Sequence, residues 1–277
     1  MKHFCIVANR GKEGAFEFAE EIKKYIDEKG GICFIAPSET GRKNYTSADD
    51  IPKDTECVIV LGGDGTFLQT ARDLVDLNLP MVGINLGSLG FLTMTESVDA
   101  YKAVDLLFNN QYMIDYRMQL SVNAKGMRQE TALNDIVVSR GGYSHLVGIT
   151  VYVDDQLFGS YEGDGVIVST PTGSTGYNLS TGGPIVAPNV GAMIITPICP
   201  HAFNARSFVI SADSKVRIVL KSHRHKCIEN AYVTIDGEEY TELRTDEEIY
   251  IEKSPMKCKM CMLQEFSFID MINNKLT

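Results

Sequence analysis

The sequence predicts an open, mostly parallel α/β sheet domain over residues 1–115. An all-β, sandwich-like domain follows over 116–252, and a tail, 253–277, returns to the first domain. Three observations predict this. Apolar β-branched runs alternate with helical stretches up to about Tyr116, the pattern of parallel strands joined by covering helices. Beyond it, helical periodicity gives way to short alternating or β-branched runs separated by turn residues. From Phe268 to Leu276 helical spacing returns.

Taken in order, Phe4 to Ala8 reads as a first strand. Gly14 to Lys29 reads as a helix, with Phe16, Ala19, Ile22, Tyr25 and Ile26 at three- and four-residue steps. Gly30-Gly31 stops it, and Ile32 to Ala36 is the second strand. Pro37 to Lys53 is polar and rich in turn formers, hence a loop. The run Val58-Ile59-Val60-Leu61 is the central strand and ends in Gly62-Gly63-Asp64-Gly65-Thr66. A helix then reaches about Leu77, where Asn78-Leu79-Pro80 breaks it. Met81 to Asn85 is another apolar strand and ends in a second glycine turn, Gly87-Ser88-Leu89-Gly90-Phe91-Leu92. A helix over about Val98 to Asn109 closes this half. Ligands of such sheets bind at the carboxyl ends of strands, so two glycine turns there point to one crevice.

In the second half, strands are predicted at Gln119 to Ala124, Thr131 to Ser139, Val147 to Val153, Gly165 to Ser169, Met193 to Pro197, Val216 to Leu220, Ala231 to Ile235 and Glu248 to Glu252.

The chain of 277 residues has 44% hydrophobic and 22% charged residues, enough apolar content for a sizeable core. Its net charge of −10 argues against non-specific nucleic-acid binding, which needs basic surface. No run approaches the ~18 apolar residues of a membrane span. No signal peptide is evident, so a cytoplasmic protein is expected. Seven scattered cysteines, several inside apolar runs, fit a reducing compartment. Cys258-Lys-Met-Cys261 lacks a second pair, and strict extension sends its thiols to opposite faces, so no metal site is expected there.

The glycine turn after the central strand carries the chemistry. Glycines there allow φ > 0 and close approach of a ligand to the backbone. Consecutive N–H groups beside a helix N-terminus make an anion site, here a phosphate cradle. Asp64 is the odd member, since a carboxylate repels phosphates. It fits if it takes a proton from an attacking hydroxyl, binds a metal or pairs with a cation; the alternative is a tight turn with a solvated or capping Asp.

Three stretches stand out later. Asn134-Asp135 opens an apolar strand and can hold ribose hydroxyls or a base edge; an Asx turn is the alternative. Tyr161-Glu162-Gly163-Asp164-Gly165 offers two acids, for a metal, a hydroxyl-rich ligand or only a hairpin turn. Ser169 to Pro184 is a long small-residue loop with many hydroxyls, free N–H groups and one Tyr able to stack on a base, and it reads as a binding loop. There is no G-x-x-x-x-G-K-[ST], no strand followed by G-x-G-x-x-G and no G-x-S-x-G. P-loop, ordinary Rossmann and α/β-hydrolase chemistry are therefore not expected.

This set, in this order over most of the chain, resembles the NAD kinase family. Gly62-Gly63-Asp64-Gly65-Thr66 is similar to its GGDG motif and Asn85 to Leu92 to its second glycine turn. Asn134-Asp135 matches its N-[ED] pair, and Asp164-Gly165 with Thr170 to Tyr177 its D-G and T-P-T-G-S-T-A-Y region. Pro197-Ile198-Cys199-Pro200-His201 and Asn204-Ala205-Arg206 resemble its later P-x-C-P-H…A-R stretch. The resemblance implies transfer of the terminal phosphate of ATP, or polyphosphate, with Mg²⁺ to the adenosine 2′-hydroxyl of NAD. Asp64 would be the general base and Gly62, Gly63, Gly65 and Thr66 the phosphate cradle. It implies NAD contacts from Asp64, Gly65, Phe91, Asn134, Asp135, His145, Glu162, Asp164, Thr172, Thr175, Gly176, Tyr177, Asn178 and Ser180. It implies a homodimer or homotetramer; no metal-ligand residues are assigned. Departures are Gly176 for the usual Ala, Glu162 where a basic residue is common, and Glu238 for Gln after Asp236-Gly237. GGDG is shared with diacylglycerol-type lipid kinases, the alternative enzyme, which would be expected to show a membrane-facing apolar or basic stretch. A non-catalytic NAD(P) sensor is the other alternative, although pure binding needs no acid beside phosphates.

Overall fold

The computed structural model describes residues 1–277 except 38–45, 125, 127, 142–145, 202–205, 222–229, 264–266 and 277, and only the backbone of 239, 274 and 276. The chain separates into two compact units, Met1–Tyr116 with Cys258–Thr277, and Arg117–Lys257.

The first unit is built on β1 (His3–Ala8), α1 (Ala15–Glu28), β2 (Ile32–Ile35), β3 (Cys57–Gly62), α2 (Asp64–Asp73), β4 (Pro80–Asn85), β5 (Thr95–Glu96) and α3 (Ala100–Phe108). The strands pair in parallel in the order β2-β1-β3-β4, with β5 also on β4. All six residues of β3 are buried, which is why its sequence is one continuous apolar run instead of an alternation. The chain steps from β1 to β2 on one side and places β3 on the other. The carboxyl ends of β1 and β3 therefore form a topological switch point, the place where open α/β sheets hold ligands.

Two local readings shift. The first helix buries Ala15, Ala19, Ile22 and Ile26, while Phe16 points outward, because the helix begins at Ala15 after a left-handed Gly14. The helix after the glycine turn begins at Asp64 and ends at Asp73; a 3-10 turn, Val75–Leu77, takes the chain to a left-handed Asn78. Gly30 has φ +78 and ends α1, a conformation that costs other residues strain.

The second unit begins within β6 (Met113–Ala124) and continues with β7 (Glu130–Ala132), β8 (Asp135–Arg140), β9 (Val147–Val153), β10 (Gln156–Gly163), β11 (Gly165–Ser169), the one-turn α4 (Tyr177–Ser180), β12 (Ala192–Ile198), β13 (Phe208–Ser211), β14 (Val216–Lys221), β15 (Asn230–Ile235), β16 (Glu238–Arg244) and β17 (Glu248–Met262). One antiparallel sheet runs β13-β12-β11-β8-β15-β16; the other layer runs β10-β9-β14-β17, with β6 on β17 and β7 on β6. Their inward residues, among them Val138, Val166, Ile195, Val233, Ile149, Ile218 and Ile251, form a single buried core, the packing of a β-sandwich. The end of β17 belongs to the first unit, where Lys259 and Met260 pair in parallel with β4, and α5 (Phe268–Leu276) follows.

The expected Thr131–Ser139 strand is broken into β7 and β8 by the turn at Asn134. The strands β10, β13 and β16, absent from the sequence reading, are sheet edges. Much of β10 and β13 is exposed, so neither carries a clean apolar alternation. Residues 161–165 are no hairpin: they carry the chain from β10 in one sheet to β11 in the other. Burial pushes the Cys5 and Cys33 thiols up to about 12, which keeps them protonated and unreactive near neutral pH. Among the described residues no helix is long and apolar enough to cross a membrane.

Candidate active site

In the first unit the candidate site grows from the end of β3. Gly62 is the last strand residue, Gly63 is extended (φ −107), and Asp64 is the first residue of α2. The left-handed backbone expected of these glycines is not adopted: neither Gly62, Gly63 nor Gly65 has positive φ. They are glycines for lack or excess of room. A Cβ on Gly62 would stand 2.5 Å from Thr66 Oγ1, whereas one on Gly63 or Gly65 would meet nothing within 4 Å. The open space lies over a helix N-terminus, where N–H groups face outward. Thr66 is buried, and its hydroxyl accepts from Asn9 Nδ2 at 2.9 Å.

Asp64 neither caps its own helix nor points into solvent. Its Oδ2 accepts from Phe91 N–H at 2.7 Å, and its Oδ1 from Leu92 N–H, Thr93 N–H and the Thr93 hydroxyl, each at 3.0 Å. Oδ1 is thus fully engaged by three donors, while Oδ2, with one among the described residues, keeps a lone pair free. Gly90 is the residue this grip requires, since a Cβ there would lie 1.8 Å from Asp64 Oδ1. Asn85, at the end of β4, braces the same turn: its Nδ2 donates to Ser88 O and Thr93 Oγ1, and its Oδ1 accepts from Gly87 N–H. Lys275 of α5 lies over the Phe91 ring, 4.5 Å from its centroid.

In the second unit the turn before β8 is held the same way. The Asp236 carboxylate accepts from Leu133, Asn134 and Asp135 N–H at 2.9, 2.7 and 3.1 Å. Asp236 has φ 49 in the turn between β15 and β16. The sequence reading named Asp236-Gly237 only as the place before Glu238 and gave Asp236 no role, although Asp-Gly after a strand-like run is a turn signal. Asp135 is buried, and its carboxyl is pushed up from 3.8 to about 7, first by burial and then by the Asp236 charge.

The small-residue stretch after β11 is folded, not a free loop: Thr172–Thr175 is a 3-10 turn and α4 follows. Many of the polar groups expected to be free are spent internally. The Thr170 hydroxyl donates to Leu133 O, that of Ser174 to Pro171 O, and that of Thr175 to Thr172 O. Asn178 is fully buried; its amide donates to Ser174 O and Pro184 O and accepts from Thr196. Asn178 thus holds the loop instead of offering itself to a ligand. Thr172 is buried, with its hydroxyl accepting from Arg117. Tyr177 and Ser180 are exposed, and Thr175 and Gly176 half-buried.

Gly173 packs on the peptide of Asn134, and a Cβ on Gly176 would stand 3.5 Å from Asn134 Nδ2 and 3.8 Å from Asp135 Oδ2. Asn134, Asp135 and Gly176 therefore converge, with Tyr177 next in line. Asp164 lies outside that group in its contacts, paired with Arg140 at 3.0 Å. Glu162 is half-buried on β10, its carbonyl accepting from His201 N–H at 2.7 Å. His145 and Asn204-Ala205 lie outside the described residues, as do His223, His225 and Cys227, which could have served as distant partners of Cys258 and Cys261 in a metal site. Among the described residues no three His, Cys, Asp or Glu side chains are grouped to hold a metal ion.

The comparisons with known proteins point to one family. Residues 4–112 match the model of the ATP-NAD kinase N-terminal domain and residues 133–263 that of the ATP-NAD kinase C-terminal domain. The chain is similar to an NAD kinase of Lachnoclostridium phytofermentans, 40% identical over 99% of both chains. It is 37% identical to an NAD kinase of Agathobacter rectalis over 100% of this chain and 99% of the other. Its fold is similar to yeast NADH kinase complexed with NADH, with TM-score 0.84, 24% identity and coverage of 100% and 87% of the two chains. It is also similar to an NAD kinase from Archaeoglobus fulgidus in complex with ATP, with TM-score 0.76, 23% identity and coverage of 100% and 97%.

Two predictions follow from the second-unit geometry. The folded chain binds a proton on Asp135 up to about pH 7, and the unfolded chain only to about 3.8. Stability attributable to this group therefore falls as pH rises from about 4 to about 7. Asp135→Asn removes that share, so melting temperature plotted against pH over this window is flatter in the variant; an unchanged slope counts against a buried, protonated Asp135. Gly176→Ala places a methyl 3.2 Å from Gly173 O. A shift of a few tenths of an ångström accommodates it, so stability changes by less than about 1 kcal/mol and KM for NAD by less than about threefold. A larger change in either counts against room for a methyl at this turn.

By its sequence over nearly its whole length and by both domain models, the chain belongs to the NAD kinase family, phosphotransferases with an alcohol group as acceptor.

Proposed function

We propose that the chain transfers the terminal phosphate of ATP to the adenosine 2′-hydroxyl of NAD, giving NADP, with Asp64 as general base. The observation that carries this is the position of Asp64 at the switch-point end of β3, gripped by three peptide N–H groups and flanked by Gly63 and Gly65 with open space above them. Open glycines at a helix N-terminus suit phosphate oxygens, and a fixed carboxylate beside them suits a hydroxyl that must lose a proton. The relatives are named NAD kinases, one neighbour is complexed with ATP and another with NADH.

In this reading the 2′-oxygen attacks the terminal phosphorus, the bond to the leaving ADP oxygen breaks, and the hydroxyl proton passes to Asp64. Among the described residues Asp64 Oδ2 accepts one bond only and so keeps a lone pair for the hydroxyl proton, whereas Oδ1 is fully engaged. The Thr93 hydroxyl is its exchangeable partner: that O–H also accepts from Asn85 Nδ2 and can rotate away, leaving the three peptide bonds in place. Asn134, Asp135, Gly176 and Tyr177 bind the adenosine end of NAD. Asp135, protonated through most of the range below pH 7, donates a hydrogen bond as well as accepting one. A divalent cation would be a companion of the nucleotide phosphates, bound largely by their oxygens.

Incubation with ATP, Mg²⁺ and NAD tests the reading by the NADP formed. Asp64→Asn keeps an acceptor for the turn but removes the base, and kcat falls by about 10²–10⁴-fold, with NAD binding retained. Equal turnover in the variant overturns the general-base role. Phosphorylation of diacylglycerol without NADP overturns the reading as a whole.

A further inference from the structure

We infer that Lys12 holds the phosphates of the phosphate donor at the second glycine turn, as a binding residue for the transfer proposed above, on which this inference rests. Lys12 lies in the segment that joins β1 to α1. That segment leaves the sheet at the switch point and is bonded to the Asp64 turn. Asn9 N–H donates to Leu61 O at 2.8 Å and Asn9 Nδ2 to Thr66 Oγ1 at 2.9 Å, while Asn9 Oδ1 accepts from Gly11 N–H. Lys12 is itself fixed through its backbone, donating to Asn9 O and accepting from Ala15 N–H.

From this anchor the side chain reaches the other glycine turn. A Cβ on Gly87 would stand 2.6 Å from Lys12 Nζ and 3.8 Å from Asn85 Oδ1, so the ammonium occupies the space that Gly87 leaves. The Gly87 N–H is directed to Asn85 Oδ1, and Asn85 is tied to Thr93, which donates to Asp64. The segment that carries this cation is thus bonded to the first glycine turn, and its ammonium lies beside the second, which holds the candidate base. An open groove of about 370 Å³ adjoins it, lined in part by Lys12, Gly14, Leu86 and Ser97.

The charge of Lys12 is the second observation. Acids outnumber bases in this chain, 36 to 26, and Lys23, Lys24, Lys29, Lys215, Lys221 and Lys253 all pair with carboxylates. Among the described residues the half-buried Lys12 pairs with none. An ammonium held over a glycine turn, at the ligand end of a parallel sheet and without an acid, is complementary to an anion. For a phosphotransferase the anion that must be neutralised is the donor's polyphosphate chain, since charge on the transferred group is stabilised by such clamps. The dinucleotide acceptor, by contrast, finds its polar partners at Asn134, Asp135 and Tyr177.

The test is a pair of variants. Lys12→Met keeps the alkyl stem and removes the charge; Lys12→Arg keeps the charge. With Lys12→Met, KM for ATP rises about 10- to 100-fold, the worth of a charge-assisted contact, while KM for NAD stays within about threefold. Lys12→Arg recovers most of the loss. Titration of each variant with ATP in the absence of NAD shows the same order of affinities. A purely structural lysine would move both KM values together or neither. An ATP affinity within about threefold of wild type in Lys12→Met overturns the inference, as does an equal rise in KM for NAD. If the unaltered chain forms no NADP, the proposed transfer fails instead, and the ATP titration still decides the role of Lys12.

Discussion

Each unit depends on one aspartate caught by three successive peptide N–H groups. Asp64 takes Phe91, Leu92 and Thr93; Asp236 takes Leu133, Asn134 and Asp135. Consecutive N–H groups that point the same way cannot join a sheet ladder, where neighbours point to opposite sides. Left without acceptors in a partly buried turn they would each cost free energy. One ionised side chain answers three of them at once, with charge-assisted bonds stronger than those between neutral groups. The two turns that the family motifs mark are therefore shaped by a carboxylate supplied from elsewhere in the chain.

This resolves the oddity of an acid in a phosphate cradle. Asp64 is tolerated beside open glycines because the second glycine turn has already wrapped its charge in N–H groups. Gly90 is needed to let that turn close on it, and Asn85 ties the same turn to the end of β4. The same device in the other unit has an electrostatic side effect. By placing a second carboxylate beside buried Asp135, Asp236 helps to keep that residue protonated to about pH 7. Two acids in one family motif region thus play different parts, one an acceptor held by the backbone, the other a carboxylic acid.

The layout of the fold was legible because long-range burial writes itself into sequence. The doubly covered β3 is an unbroken apolar run, the sandwich strands carry inward Val and Ile, and Gly30 ends α1 where a left-handed residue is needed. What stayed hidden has physical causes. The edge strands β10 and β13 face water over much of their length, so they leave no apolar alternation. The motif positions Gly62, Asp64, Asn134 and Gly176 were readable as chemistry, but not as geometry. That Gly62 makes way for Thr66, that Asn178 is consumed inside its loop, and that Asp236 grips a turn a hundred residues away are facts of tertiary contact. Lys12 was invisible for the same reason: a lysine in a polar loop looks solvated until its ammonium is seen beside Gly87.

The central claim is that Asp64 builds the turn beside it as well as serving the reaction. Amide hydrogen exchange at Phe91, Leu92 and Thr93 tests it most directly, compared between the unaltered chain and Asp64→Ala. If the carboxylate is their acceptor, all three amides exchange faster in the variant, while amides in β9 and β14 of the other unit are unchanged. Equal protection of Phe91, Leu92 and Thr93 in both proteins would contradict it.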